Sequence, residues 1–104
     1  MARKRDLKHL KSFKKMLAKD MPISAMYLFG SRAKGKFHKW SDFDLLIVSK
    51  EFKRKKSFER SIGLHKYWTI DAPVDFLCYT PEEFNKLKKG ITIVRIVVKT
   101  GIKL

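Results

Sequence analysis

The spacing of apolar residues changes several times along the chain, and each change marks an element. Leu7, Leu10, Phe13 and Leu17 recur at helical intervals among lysines and arginines, and Met16 widens the stripe. This predicts an amphipathic helix over 3–19, stopped near Asp20-Met21-Pro22. Residues 23–29 are short, apolar and followed by Gly30, the pattern of a strand. Residues 31–37 suit a short helix capped by Gly30 or Ser31, and 38–41 a loop. Residues 42–48 alternate as a second strand: Asp42, Asp44, Leu46 and Val48 share one face, Phe43, Leu45 and Ile47 the other. Residues 49–56 are charged and irregular, a connection. A weaker helix is expected over 57–68, with Phe58, Ile62 and His65 in loose register and Gly63 inside it. Residues 74–79 form a third strand. Thr80, Pro81 and Glu83 then spell a capping box with proline in the first turn, opening a helix that runs to about Lys89 and stops at Gly90. Residues 91–99 carry two signals: β-branched composition favours strand, whereas Ile91, Val94 and Val98 fit a helix. An edge strand is expected over 102–104.

Two acids in an otherwise apolar strand need a reason. Asp42 and Asp44, at i and i+2, project from the same face about 6.5 Å apart. Asp75 opens the third apolar strand and would lie about 4.8 Å to the side if the two strands are neighbours. Three unpaired carboxylates at one end of a sheet repel one another and raise their own pKa values. Magnesium, which takes hard oxygen ligands together with phosphate oxygens, resolves the conflict, and two such ions can clamp an in-line phosphoryl displacement. Taken alone, Asp-x-Asp reads as a loop cap and a surface ion pair. The turn upstream changes that reading. Gly30 permits close backbone approach at a strand end. Ser31 and Arg32 begin a helix whose free N–H groups favour an anion, and Arg32 has a guanidinium that can grip phosphate.

Composition adds a bias. The 104 residues hold 25 Lys and Arg against ten Asp and Glu, a formal net charge of +15. That charge predicts attraction to polyanions; a solvated lysine-rich surface suited to high temperature is the other reading. The basic face of the first helix has the same two readings. The length suits one domain over 1–104, burying roughly 65% of its unfolded surface. Cys78 is the single cysteine, which excludes an internal disulfide and suits a reducing compartment. No apolar run approaches the ~20 residues that span a bilayer, and the N-terminal apolar residues are spaced rather than contiguous, unlike a signal peptide. A cytoplasmic location and no membrane partner are expected.

The segment Gly30-Ser31-Arg32-Ala33-Lys34-Gly35, followed by Ser41-Asp42-Phe43-Asp44-Leu45, resembles the signature of the DNA polymerase beta-like nucleotidyltransferases, and within them the minimal nucleotidyltransferases (MNT) of prokaryotes. Pro73-Val74-Asp75-Phe76 and Tyr79-Thr80-Pro81-Glu82-Glu83-Phe84 resemble the strand of the third acid and its following helix. Lys34 departs from the pattern where a second arginine is commoner. The resemblance implies an α+β fold, a small mixed β-sheet with helices mainly on one face, and a helix at 91–99. It further implies metal binding by Asp42, Asp44 and Asp75, a general-base role for Asp75, and nucleotide binding by Gly30, Ser31, Arg32 and Ser41. The activity implied is Mg²⁺-dependent transfer of a nucleoside monophosphate, AMP from ATP, to a hydroxyl acceptor. Minimal members are commonly paired with HEPN proteins as toxin–antitoxin couples, so a tyrosine of a HEPN toxin is the implied acceptor. A binding-only antitoxin or assembly subunit of the same fold is the alternative. A nucleic-acid-binding module ranks last, because the chain shows neither interleaved sheet aromatics nor a helix-turn-helix pattern. An oligomer is compatible with the small size.

Other residues carry less. His9, His38 and His65 lack ligand spacing. Trp40 reads as a base-stacking residue or a packed loop aromatic, and Tyr67 and Trp68 as packing residues. Cys78, on the face opposite Asp75, reads as a small buried hydrophobe. The Lys53-Arg54-Lys55-Lys56 run reads as a solvated loop, or as a phosphate or acidic-partner contact near the mouth of the site.

Overall fold

Two apolar runs adjacent in the sequence, β1 (Ala25–Phe29) and β2 (Phe43–Val48), pair antiparallel and form the centre of the sheet. The computed structural model describes residues 2–35 and 41–104. β3 (Val74–Tyr79) joins β2 in parallel, and the short β4 (Ile102–Lys103) joins β1 antiparallel, giving the order β3-β2-β1-β4. A parallel pair needs a long crossover. Here it contains a 3-10 helix (Lys50–Arg54, with Ser49 Oγ accepting from the Glu51 N–H), then α3 (Ser57–Leu64) and a 3-10 turn (His65–Tyr67). The remaining helices are α1 (Lys4–Ala18), the single turn α2 (Ser31–Lys34), α4 (Pro81–Leu87) and α5 (Ile93–Thr100). The expected α+β class with a small mixed sheet is the one observed. The end of the second expected helix at 37, the loop at 38–40, and the readings of His38 and Trp40 lie outside the described residues.

Strand alternation sorts the core into two layers. Met26, Leu28, Phe43, Leu45, Ile47 and Val74 point to the face covered by α1, through Leu10, Phe13 and Leu17, and by Leu64 of α3. Phe76 and Cys78 join them, and Trp68 sets its ring edge-on to Phe13 and Phe43 at 5.2 and 5.4 Å. The other face carries Ala25, Tyr27, Leu46 and Val48 under Phe84 of α4 and Val94 and Val97 of α5. The helices therefore divide over both faces, α1 and α3 on one and α4 and α5 on the other.

Two amphipathic registers differ from expectation. In α3, Phe58 and Ile62 point outward, 66% and 65% exposed, while Arg60 and Leu64 turn inward. The Arg60 guanidinium finds enough partners to enter: its Nη1 donates to Glu83 Oε1 at 2.7 Å and to the Cys78 carbonyl at 3.3 Å, and its Nε donates to the Lys55 carbonyl. Glu83 also closes the expected capping box, accepting from the Thr80 N–H while its own N–H donates to Thr80 Oγ1. Within 91–99 the chain is helical from Ile93, but Val94 and Val97 are the buried pair, and Ile91 and Val98 are exposed. Thr92 sets this register. Its Oγ1 accepts from the Arg95 N–H and donates to the Leu87 carbonyl, fixing where the helix starts.

Candidate active site

β1, β2 and β3 bring their site residues to one end of the sheet. The in-register parallel pairing of β2 and β3 places Asp44 directly beside Asp75, and the β1–β2 pairing places Phe29 on the other side of Asp44. All three side chains point to the α4/α5 face. Those helices cover Ala25, Tyr27, Leu46 and Val48, so the row Phe29–Asp44–Asp75 emerges at the open end. Asp42 precedes β2 by one residue and has the same parity as Asp44. Asp42 and Asp75 are exposed and Asp44 is half-buried. The expected neighbourhood of the three acids is therefore present, with Asp42 at the strand entrance rather than within it.

Asp44 is the electrostatic centre of the group. Burial first, then the carboxylates of Asp75 and Asp42, hold its carboxyl above the ordinary value. Such a set of hard oxygen donors with mutual repulsion fits a divalent cation in chemistry. Among the described residues no three acidic, histidine or cysteine side chains stand close enough together to clasp an ion.

Gly30 has a role that the sequence only half disclosed. Its φ of 76° and ψ of −159° belong to glycine. A Cβ built there would collide with Asp44 Oδ2 and lie 3.1 Å from Asp44 Cγ. The close approach that this glycine permits is thus the approach of the Asp44 carboxylate. Ser31 follows, half-buried at the start of α2, and its hydroxyl has no hydrogen-bond partner among the described residues.

Arg32 is not at the carboxylates. It is 6% exposed and turned to the α1 face, where its guanidinium lies 4.1 Å over the Phe43 ring. Its Nη1 donates to Asp6 Oδ2 at 3.3 Å and its Nε to the Ser41 carbonyl at 3.0 Å. The expected phosphate grip is replaced by a structural tie between α1, α2 and the entrance to β2. Ser41 enters that tie through its carbonyl. A cleft of about 410 Å³ over Arg32 and Phe43, walled by α1 and Thr69–Ala72, opens on this same side and contains none of the three acids.

The other candidates fall into place around this geometry. The Lys53–Lys56 run is exposed but follows the C-terminal end of β2, the far end of the sheet from the carboxylates, not the mouth of the site. Cys78 packs with the α1-side cluster, and burial pushes its thiol up to about 12, against a small opposing effect of Arg60. It is no nucleophile at neutral pH. The buried Asp6 was missed by sequence reasoning; a lone acid in the first turn of a basic helix was its one signal.

A mixed sheet carrying paired strand carboxylates beside a Gly-Ser turn defines the nucleotidyltransferase class of folds. The match to known proteins agrees: residues 8–100 fit the model of the nucleotidyltransferase domain, and the chain belongs to that family. It is similar to a candidate nucleotidyltransferase of Sulfolobus solfataricus, 31% identical, with a TM-score of 0.61 over 79% of this chain and 73% of that one. A second structure, also of a candidate nucleotidyltransferase, is 27% identical with a TM-score of 0.54, covering 95% and 97%. No curated protein sequence matches significantly. Among the described residues no helix is long and apolar enough to cross a membrane.

Proposed function

We propose that the protein transfers a nucleoside monophosphate, AMP from ATP, to a hydroxyl acceptor with release of pyrophosphate. The observation that carries this is the placement of Asp42, Asp44 and Asp75 at the open end of one sheet face, with Asp44 set against Gly30. The acceptor oxygen attacks the α-phosphorus, and the bond to the bridging oxygen breaks. Asp75 takes the acceptor proton on its carboxylate; this role rests on the likeness to the polymerase beta-like signature. Asp42, Asp44 and Asp75 would hold Mg²⁺, which supplies charge neutralisation for the triphosphate and a more acidic acceptor hydroxyl. Gly30 stands against Asp44, and Ser31 follows it in the turn, where the triphosphate would meet the chain.

The partner reading is that the acceptor is a tyrosine of a HEPN-type toxin and that this chain acts as its antitoxin. Its support is the likeness of the Gly30–Gly35 and Ser41–Leu45 motifs to minimal nucleotidyltransferases. The test is incubation with labelled ATP, Mg²⁺ and the partner that co-purifies. Label should pass to a partner tyrosine and be lost on Asp42→Asn plus Asp44→Asn. Label transfer that survives this double substitution overturns the metal assignment. Tight partner binding with no transfer by the wild type leaves a binding-only antitoxin.

A further inference from the structure

The two edges of the sheet are treated differently. β4 is two residues long and carries Lys103, the short, charged kind of edge that resists further pairing. β3 is six residues long, Val74-Asp75-Phe76-Leu77-Cys78-Tyr79, with neither proline nor lysine. Pro73 and Tyr79 give their carbonyls to the Phe43 and Ser49 N–H groups of the β2 side. By alternation, the backbones of Val74, Phe76 and Cys78 face outward. Arg60 takes the Cys78 carbonyl. The N–H groups of Val74, Phe76 and Cys78 and the carbonyls of Val74 and Phe76 have no partner among the described residues.

A groove of about 500 Å³ runs along this edge, crossed at Cys78 by the Arg60–Glu83 pair and open along Val74 to Leu77. Its floor is Phe76 to Tyr79, its walls are Ser57 and Arg60 of α3 on one side and Glu83, Lys86 and Leu87 of α4 on the other. We propose that this groove binds an extended, acidic segment of a partner protein, which adds to β3 as a fifth strand. The backbone groups supply the pairing and the half-buried Phe76, Leu77 and Tyr79 supply pockets for alternate side chains. Charge selects the occupant. The exposed Lys86 stands on one wall, the exposed Lys56 directly precedes Ser57 of the other, and the whole chain carries +15. A second copy would bring the same charge and be repelled; an acidic segment is attracted.

The probe is the blocked peptide Glu-Val-Glu-Tyr-Glu-Val, titrated by fluorescence anisotropy and followed by amide hydrogen exchange. Binding is expected to slow exchange at the Phe76 and Cys78 amides. Methylating the peptide's edge-facing backbone nitrogens is expected to weaken binding by about tenfold or more. Lys56→Glu with Lys86→Glu should weaken it by about tenfold, whereas Asp42→Asn with Asp44→Asn should leave it intact, so the result stands apart from the transfer chemistry. Binding without protection of those two amides overturns the proposal. So does failure of the peptide to bind, or equal binding of its lysine counterpart. Protection of the same amides in a dimer of the free protein, seen by sedimentation, overturns it in favour of a second copy.

Discussion

The Asp44 carboxylate fills the space above the Gly30 Cα that any side chain would need. A turn residue and a strand residue fourteen positions apart are therefore a single steric unit, and the glycine is held in place by two independent requirements, its positive φ and this contact.

Gly30→Ala should lower stability by about 2 kcal/mol, from backbone strain and displacement of Asp44. Chemical denaturation measures it. The same substitution in an Asp44→Ala background should cost less, because the colliding carboxylate is gone, with a coupling energy above about 0.5 kcal/mol. Additive effects would show that the strain lies in the backbone alone.

Stability should respond to pH through Asp44. A carboxyl whose folded pKa lies above its unfolded value binds its proton more tightly in the native state, so the folded state loses stability as pH rises above the ordinary aspartate value of 3.8. Asp44→Asn should therefore melt higher than the wild type at pH 7 without divalent cation, with the gap closing on acidification. Adding Mg²⁺ should raise the melting temperature of the wild type more than that of the variant.

Arg32→Gln should reduce stability by about 2 kcal/mol, since it leaves the buried Asp6 without its cation. The affinity of the folded variant for ATP, measured by calorimetric titration, should stay within about twofold of the wild type. A large loss of affinity with unchanged stability would return Arg32 to the phosphates.

The two sides of α3 should respond oppositely to mutation. Phe58→Ser and Ile62→Ser remove exposed side chains and should change stability by less than about 0.5 kcal/mol. Leu64→Ala, at a site 2% exposed, should cost about 2–5 kcal/mol. Thermal denaturation of the three variants decides the register.

Glu83 has a depressed pKa, chiefly through the Arg60 hydrogen bond. Its contribution is present above the unfolded value, near 4.5, and fades as pH falls through the lower folded value. Glu83→Gln should therefore destabilise at pH 7 and converge on the wild type in acid, as acid titration of the melting temperature would reveal.

Strand alternation made the carboxylate site legible: Asp42, Asp44 and Asp75 share a face because side chains alternate, whatever surrounds them. Thr80-Pro81-Glu82-Glu83 was legible for a similar reason, as every partner in the cap is local. The misread residues are those whose partners are distant. Arg32 looked like a phosphate ligand because its turn is next to the site, yet Asp6, 26 residues earlier, claims it. Phe58 and Ile62 looked like a packing stripe because nothing nearby announces that Arg60 will reach Glu83, 23 residues on. At 91–99 β-propensity and helical spacing conflict, and the chain is helical from Ile93, beyond the Thr92 contact with Leu87.

The pairing of Asp44 with Asp75 is secured from the opposite side of the sheet. Phe76, next to Asp75, stacks on Phe13 at 5.9 Å and meets Trp68 edge-on at 6.0 Å. A slip of β3 by one residue would turn Asp75 into that aromatic nest and Phe76 out among the carboxylates. The cost of burying the acid forbids it. The aromatic cluster beneath the sheet is thus a ratchet stop for the chemistry above it, and Phe76→Ala, which never touches the site, would remove the aromatic half of that stop while the acid keeps the other.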